Sequence, residues 1–517
     1  MKTIITSFLI FLYFISFSQT QIGIDIDGNS ESDQLGWSTA ISKDGTIVAM
    51  SASGVANNVG YVKVFKNENG IWDQLGTDIL GDTAGDFFGH SIALSDDGTI
   101  LAIGAYGFNN ESGFVKVYKY SNSSWTQLGT TIFGSNEITE GPVGGNSEHQ
   151  FGYSVSLNSD GTILAVGAPK TDSFLHNNPS IINHGAVAIF NFENNNWVLT
   201  RQINGEAAED FSGISISLNS DGTIIAIGAY FNDGNGNNSG HTRVYRKQNT
   251  SWILVGNENN GGLKDLNGEN AYDLSGFSVD LSENGSTVVI GAPANDGNDG
   301  NDTDSGQVKI YFNGGSLDDD TYNTTAWFSY WGDIDGEASV DQFGYSVSLS
   351  DNGLYLAAGS IDNDGNGSKS GHVRVYKIGT RINQIGLDID GEASGDQAGF
   401  SVSISGDGTK LAIGAPFNDG NGSNSGHVRI YDLSEVLSTE TNSLSNFNIY
   451  PNPASKQITL NLENSILKEV SIYNNLGQEV IKSKKETINT SKLTNGVYFI
   501  SLETDKGKLT KKLIITN

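Results

Sequence analysis

The chain contains no cysteine, which excludes a disulfide framework, a thiolate metal site and a cysteine nucleophile. Proline is scarce, at 7 of 517 residues, and charged residues make up only 17%, so collagen-like, acidic disordered and coiled-coil organisation are all disfavoured. Basic residues are few: 29 Lys and Arg stand against 59 Asp and Glu, a net charge of −30. That excess repels phosphate backbones and anionic membrane surfaces, so nucleic acid is not an expected partner. No apolar run is long enough to span a bilayer, and no transmembrane segment is expected. What the chain has in abundance is glycine, 65 residues, the signature of a turn-rich β protein. Its length exceeds one ordinary compact core, so several domains or a repeat must organise it.

The two ends differ from the middle. Met1-Lys2-Thr3, the apolar run Ile4 to Phe17 and the small residues Ser16 and Ser18 predict a secretory signal peptide over residues 1–18, with Thr20 as the alternative cleavage point. From Leu444 the composition turns basic: residues 444–517 hold 10 Lys and 6 Asp and Glu, a net of +4, which leaves −35 on residues 3–443. Residues 436–443 read as a linker.

Between the ends the sequence repeats seven times. Gly36, Gly89, Gly152, Gly213, Gly276, Gly344 and Gly399 each precede an Asp-Gly or Asn-Gly turn by eight residues. Seven residues beyond the Asp or Asn stands another Gly (104, 167, 228, 291, 359, 414), replaced by Ser51 in the first copy. The intervals between opening glycines are 53, 63, 61, 63, 68 and 55, so a fixed core carries loops of variable length. Each copy predicts four strands: an alternating strand such as Tyr153 to Leu157, a hairpin turn, and the apolar Ile163 to Val166. A third strand such as His372 to Tyr376 and a fourth with Trp and Gln-Leu-Gly, as at Trp72 to Gly76, complete the copy. The seventh copy lacks its fourth strand, and Gln21 to Gly28 matches Gln384 to Gly391, so the mature N-terminus should close the ring and remove an open sheet edge. The expected fold is all-β, a seven-bladed β-propeller over 19–435 closed by an N-terminal strand, followed by a small C-terminal β-sandwich over 444–517.

The phrases Phe151-Gly152-Tyr153-Ser154-Val155-Ser156-Leu157 and Val166-Gly167-Ala168-Pro169 resemble the FG-GAP repeat family of integrin α-chains and secreted bacterial proteins. The calcium hairpin of the integrin type has no counterpart here, since the turn between strands one and two is only Ser-x-Asp-Gly or a close variant; the copies are more similar to the bacterial subtype. The C-terminal region resembles the type A sorting domain of the Bacteroidetes type IX secretion system. The residues carrying this likeness are Tyr450, Pro451, Asn452 and Pro453, then Val470 to Asn474, Gly477, Gly496 and Tyr498, and Lys511 to Ile515. This resemblance implies handling by the type IX machinery via the periplasm, with the cargo attached to the outer surface or released.

Antiparallel topology puts the loops joining strands two and three on the same face as the links between copies, and both are acidic. The links hold Asp333, Asp335, Glu337 and Asp341, and Asp388, Asp390, Glu392 and Asp396; the two-three loops hold Asp364 and Asp419 within Asn-Asp-Gly-Asn-Gly. Clustered hard oxygens suit Ca²⁺, and these ten residues are the candidate ligands. Asp, Asn and Gly equally build Asx-turns and caps, above all the Asp three residues before the opening Gly in six copies (33, 86, 210, 273, 341, 396), His149 holding that place in the third. The His column (241, 372, 427), the Arg column (243, 374, 429) and the Trp column (72, 125, 197, 252) read as repeat positions, with Trp packing between copies. The function expected is a secreted or surface-displayed binding or adhesion module with a glycan or protein ligand. The alternative is a glycosidase-like hydrolase with a carboxylate pair on the acidic face or in the axial channel, its pocket drawn from the irregular stretches 134–148, 170–184 and 315–331.

Overall fold

The computed structural model describes residues 19–134, 148–172, 182–256, 263–297, 303–313, 326–329, 332–440, 448–462, 467–474, 478–504 and 507–516. The signal peptide at 1–18, Gly477 and most of the irregular stretches proposed to form a pocket lie outside these residues. Two compact units are present, Met1–Leu433 and Ser434–Asn517. The division falls two residues before the expected one: the Leu433 amide still bonds to Thr409 O (2.8 Å), and a helix, Ser434–Glu440, then occupies the start of the expected linker.

The described residues of the first unit form seven antiparallel sheets. In the third copy, for example, Ser154–Leu157, Ile163–Ala168, Ala186–Glu193 and Asn196–Asn204 pair in that order. The second strands are buried along their length, as expected for strands covered on both faces: Ile100–Ala105 and Ile224–Ala229 wholly, the other five in all but their first residue. In six sheets the link adds a two-residue strand beside the third strand, which seats its carboxylates against the start of that strand. Thus Ile389–Asp390 pairs with Val373 and His372, and Ile26–Asp27 with Val428 and His427.

The seam forms as the sequence predicts. Thr20 and Gln21 pair with Asp432 and Tyr431, and the Ile22 amide bonds to Ile430 O at 2.7 Å. First strands touch in a cycle that runs through all seven copies and returns from the last to the first. Three tiers of hydrogen bonds stitch this cycle, because an innermost strand has an edge with no sheet partner. In the first tier a Ser hydroxyl donates to the opening Gly carbonyl of the next copy: Ser91 to Gly152, Ser154 to Gly213, Ser215 to Gly276, Ser278 to Gly344, Ser346 to Gly399 and Ser401 to Gly36. In the second, a first-strand amide donates to a side chain of the preceding copy, as Leu218 does to Ser156 and Ile41 to Ser403. The third tier is a closed ring of seven backbone hydrogen bonds at the Asp-Gly and Asn-Gly turns, 2.9–3.0 Å each: Lys43 N–H to Asp96 O, then Ser159, Ser220, Glu283, Asp351, Gly406 and back to Lys43.

Close approach explains the second glycine column. A Cβ on Gly167 would lie 2.1 Å from Gly213 O, and one on Gly104 2.0 Å from Gly152 O. Trp72, Trp125 and Trp197 donate Nε1 to Ile22 O, Leu75 O and Leu128 O of the preceding copy, which places the Trp column between sheets as anticipated.

The second unit is a two-sheet sandwich. One sheet joins Asn448–Tyr450, Gln457–Asn461 and Thr487–Asn489; the other orders Glu479–Ser483, Leu467–Tyr473, Gly496–Thr504 and Gly507–Ile515. Ile458, Ile472, Ile500 and Leu513 form its core. Tyr498 is buried with its hydroxyl donating to Thr494 O (3.0 Å), the Ile514 amide donates to Asn452 Oδ1 (2.9 Å), and Tyr450 is exposed.

Candidate functional site

Two regions gather chemistry-bearing residues: the acidic loop face and the axis. On the loop face the two-three loops do meet the links, since Asn366 Nδ2 donates to Gly391 O and Asn421 Nδ2 to Gly28 O. Within each loop the acids act as turn acceptors. Asp364 Oδ1 takes the Lys369 amide and Asp419 Oδ1 the Asn424 amide, both at 2.8 Å. Asp341 Oδ2 takes the Ala338 amide and Asn363 Nδ2; Asp396 Oδ2 takes the amides of Glu392 and Ala393 and Asn418 Nδ2. Asp33, Asp210 and Asp273 cap the same turn in their copies. Burial pushes the carboxyls of Asp210, Asp273 and Asp341 above their ordinary value. Asp341 and Asp364 also line one small cavity of about 320 Å³.

The remaining candidates flank a cation column on the third strands. Lys116 Nζ lies 2.6 Å from Asp82, Lys309 Nζ 2.7 Å from Glu269, and Arg243 2.5 Å from Glu206 and 2.6 Å from Asp265. Burial raises the Asp333 carboxyl, with Lys309 opposing and Glu269 adding to the rise; Asp335 Oδ1 accepts from Gln307 Nε2. Burial, reinforced by Asp388, likewise raises Asp390. Glu337, Asp388 and Glu392 gather around buried histidines: Glu337 and Asp388 with His372, Glu392 and Asp25 with His427. In the sequence those histidines are a column of repeat positions, and that spacing gives no hint that two links converge on each.

Only one feature of the axial lining was legible in the sequence. At its link-side mouth, the residue after each opening Gly forms a collar: Trp37, His90, Tyr153, Ile214, Phe277, Tyr345 and Phe400, all half-buried. Ring centroids are 4.6 Å apart for Trp37 and Phe400, 4.4 Å for His90 and Tyr153, 4.9 Å for Phe277 and Tyr345, and 5.1 Å for Tyr345 and Phe400. Tyr106 and Tyr230 add a second row, 4.6 Å from His90 and 5.9 Å from Phe277. Trp37 Nε1 donates to His90 Nδ1 at 3.2 Å, and burial pushes that imidazole down to about 3, so it is neutral. One signal was available: six of the seven residues following the opening glycines are aromatic or His.

Below the collar a non-repeated acid appears. Asp280 occupies the column filled by Ser156, Ser217, Ser348 and Ser403, and tethers three copies. Its Oδ1 accepts from Ser217 Oγ (2.8 Å) and the Leu281 amide (2.9 Å), its Oδ2 from the Leu349 amide (2.8 Å). Burial lifts its pKa to about 6 against the opposing pull of these donors. At the far end Lys43 Nζ reaches across the peptide ring to Asp351 (2.7 Å), Glu283 (2.8 Å) and Asp96 (3.6 Å), plugging the axis with an ion cluster.

Comparison with known families matches residues 388–431 to the FG-GAP repeat and residues 448–516 to the secretion system C-terminal sorting domain. No curated protein matches the chain. No helix among the described residues is long and apolar enough to cross a membrane. The first unit is accordingly an all-β, propeller-like ring that carries an FG-GAP repeat, and the chain ends in a sorting domain of the type IX secretion system, which implies export to the cell surface or beyond.

Proposed function

We propose that the protein is an extracellular binding module, delivered through the periplasm by the type IX system, whose ligand seats on the axial collar at the acidic face. The observation that carries this is the half-buried ring of Trp37, His90, Tyr153, Phe277, Tyr345 and Phe400, packed ring against ring around the axis. Accessible π-faces stack on flat groups such as sugar rings, and the surrounding carboxylates favour a neutral or cationic ligand over an anionic one. The mature chain should bind members of an array of neutral and basic glycans and peptides, and Trp37→Ala and Tyr345→Ala should each weaken that binding at least about tenfold, the loss of about 1.4 kcal/mol expected for one stacking partner. Binding unchanged in both variants, with the fold intact, refutes the axial site.

A second reading, a secreted hydrolase, is favoured by Asp280, whose pKa near 6 suits a general acid. Turnover of polysaccharides or peptides by the wild-type chain and its loss in Asp280→Ser would support it; turnover unaffected by that change would place any chemistry elsewhere.

A further inference from the structure

We propose that Asp25, Glu392 and His427, and in the preceding copy Glu337, His372 and Asp388, are two copies of one binding site for a borderline divalent cation, zinc in the first instance. In each triad one nitrogen and two carboxylate oxygens lie within 4.8 Å of one another. His372 and His427 open their third strands and are each 1% exposed. Neither ring nitrogen of His427 has a hydrogen-bond partner, nor has Nε2 of His372. Nδ1 of His427 stands 3.9 Å from Glu392 Oε2, too far for a hydrogen bond and close enough for an ion to bridge. A buried polar atom left unmet costs about 1–3 kcal/mol, so such an imidazole is expected to have a partner, and a metal supplies one.

The equivalent positions in other copies show what distinguishes these two. Where the carboxylates are held directly by a cation, the pairs are tight, as in Arg243 with Glu206 and Asp265 or Lys309 with Glu269. In the last two copies the guanidinium is turned aside. Arg374 sits 4.3 Å over the Phe343 ring and donates to Asp335 O (3.1 Å), reaching Glu337 only at 3.4 Å; Arg429 donates to Asp390 O (2.7 Å) and lies 3.7 Å from Glu392. Asp25 and Asp388 each accept a glutamine amide instead, from Gln21 and Gln384 (2.6 Å each), and Glu337 and Glu392 remain open to solvent as an entry path. One imidazole with two carboxylates matches a three-ligand zinc site completed by water, whereas Ca²⁺ takes 6–8 oxygens. Neither triad includes a collar residue.

The test uses the mature, untagged full chain, stripped with chelator, loaded with Zn²⁺, dialysed and analysed for metal by mass spectrometry. Two zinc ions per chain are expected, one in His427→Gln, one in His372→Gln, none in the double variant, and two in His241→Gln. Loading with Ca²⁺ in place of Zn²⁺ should leave no retained calcium at these triads. Should a variant fail to fold, the wild-type stoichiometry still decides, together with the visible absorption of the Co²⁺-loaded chain, which reports tetrahedral nitrogen and oxygen ligation. Fewer than two zinc ions per wild-type chain, or two that survive the double variant, overturns the proposal.

Discussion

Replacing Asp280 with Ser should make the first unit more stable at pH 8 than the wild type, and leave it nearly unchanged at pH 4. Asp280 has a folded pKa of about 6 against an ordinary value of 3.8, because burial between three first strands penalises its charged form. For an acid raised on folding, the favourable contribution is full below the unfolded pKa and is lost as pH rises through the folded one. A shift of about two units corresponds to about 3 kcal/mol lost between pH 4 and pH 7. Ser fills this column in four other copies and there accepts the amide of the following copy at 3.0–3.2 Å, so Asp280→Ser retains the acceptor for Leu349 while removing the titration. Urea unfolding followed by tryptophan emission isolates the first unit, since all seven Trp residues precede Ser434. The difference between variant and wild type should grow by about 3 kcal/mol in favour of Ser from pH 4 to pH 8. A difference independent of pH, or one that grows in favour of Asp, would refute the account of a buried and reluctantly ionised carboxyl.

Two further outcomes follow from the seam and the glycine column. Ile26, 8% exposed and paired with Val428, should cost about 2–5 kcal/mol when cut to Ala, whereas Ile24, 85% exposed, should change stability by less than about 0.5 kcal/mol. Equal effects in urea unfolding would mean that the seam strand is not holding the ring. Gly167→Ala places a Cβ 2.1 Å from Gly213 O and should cost about 3 kcal/mol, while Gly70→Ala, with open space around it but φ of +88°, should cost only about 1–2 kcal/mol. A Gly167 variant no worse than the Gly70 variant would show that the sheets are not in such close contact.

The sequence determined the local and periodic features of this protein. The eight-residue spacing from Gly to Asp-Gly fixes a strand and its hairpin, because side-chain acceptors such as Asp160 bind the backbone two residues on: the Thr162 hydroxyl and amide hold that carboxyl below its ordinary value. Likewise the match of residues 21–28 to 384–391 foretold the pairing of Ile26 with Val428, since an unfilled edge strand has one natural partner. The motifs from Tyr450 to Ile515 were equally plain. Whether Asp364 serves a turn or an ion could not be read from the chain, because the same residues in the same order do both. Tertiary structure alone decided what converges: Lys43 meets Asp351 and Glu283 from copies hundreds of residues away, Asp280 bridges three copies, and Asp25 and Glu392, from two different links, meet at His427. Hydrogen bonds within a strand or turn depend on neighbours a few residues apart, but distances across the axis exist only once the seventh sheet has met the first, and no local pattern encodes them.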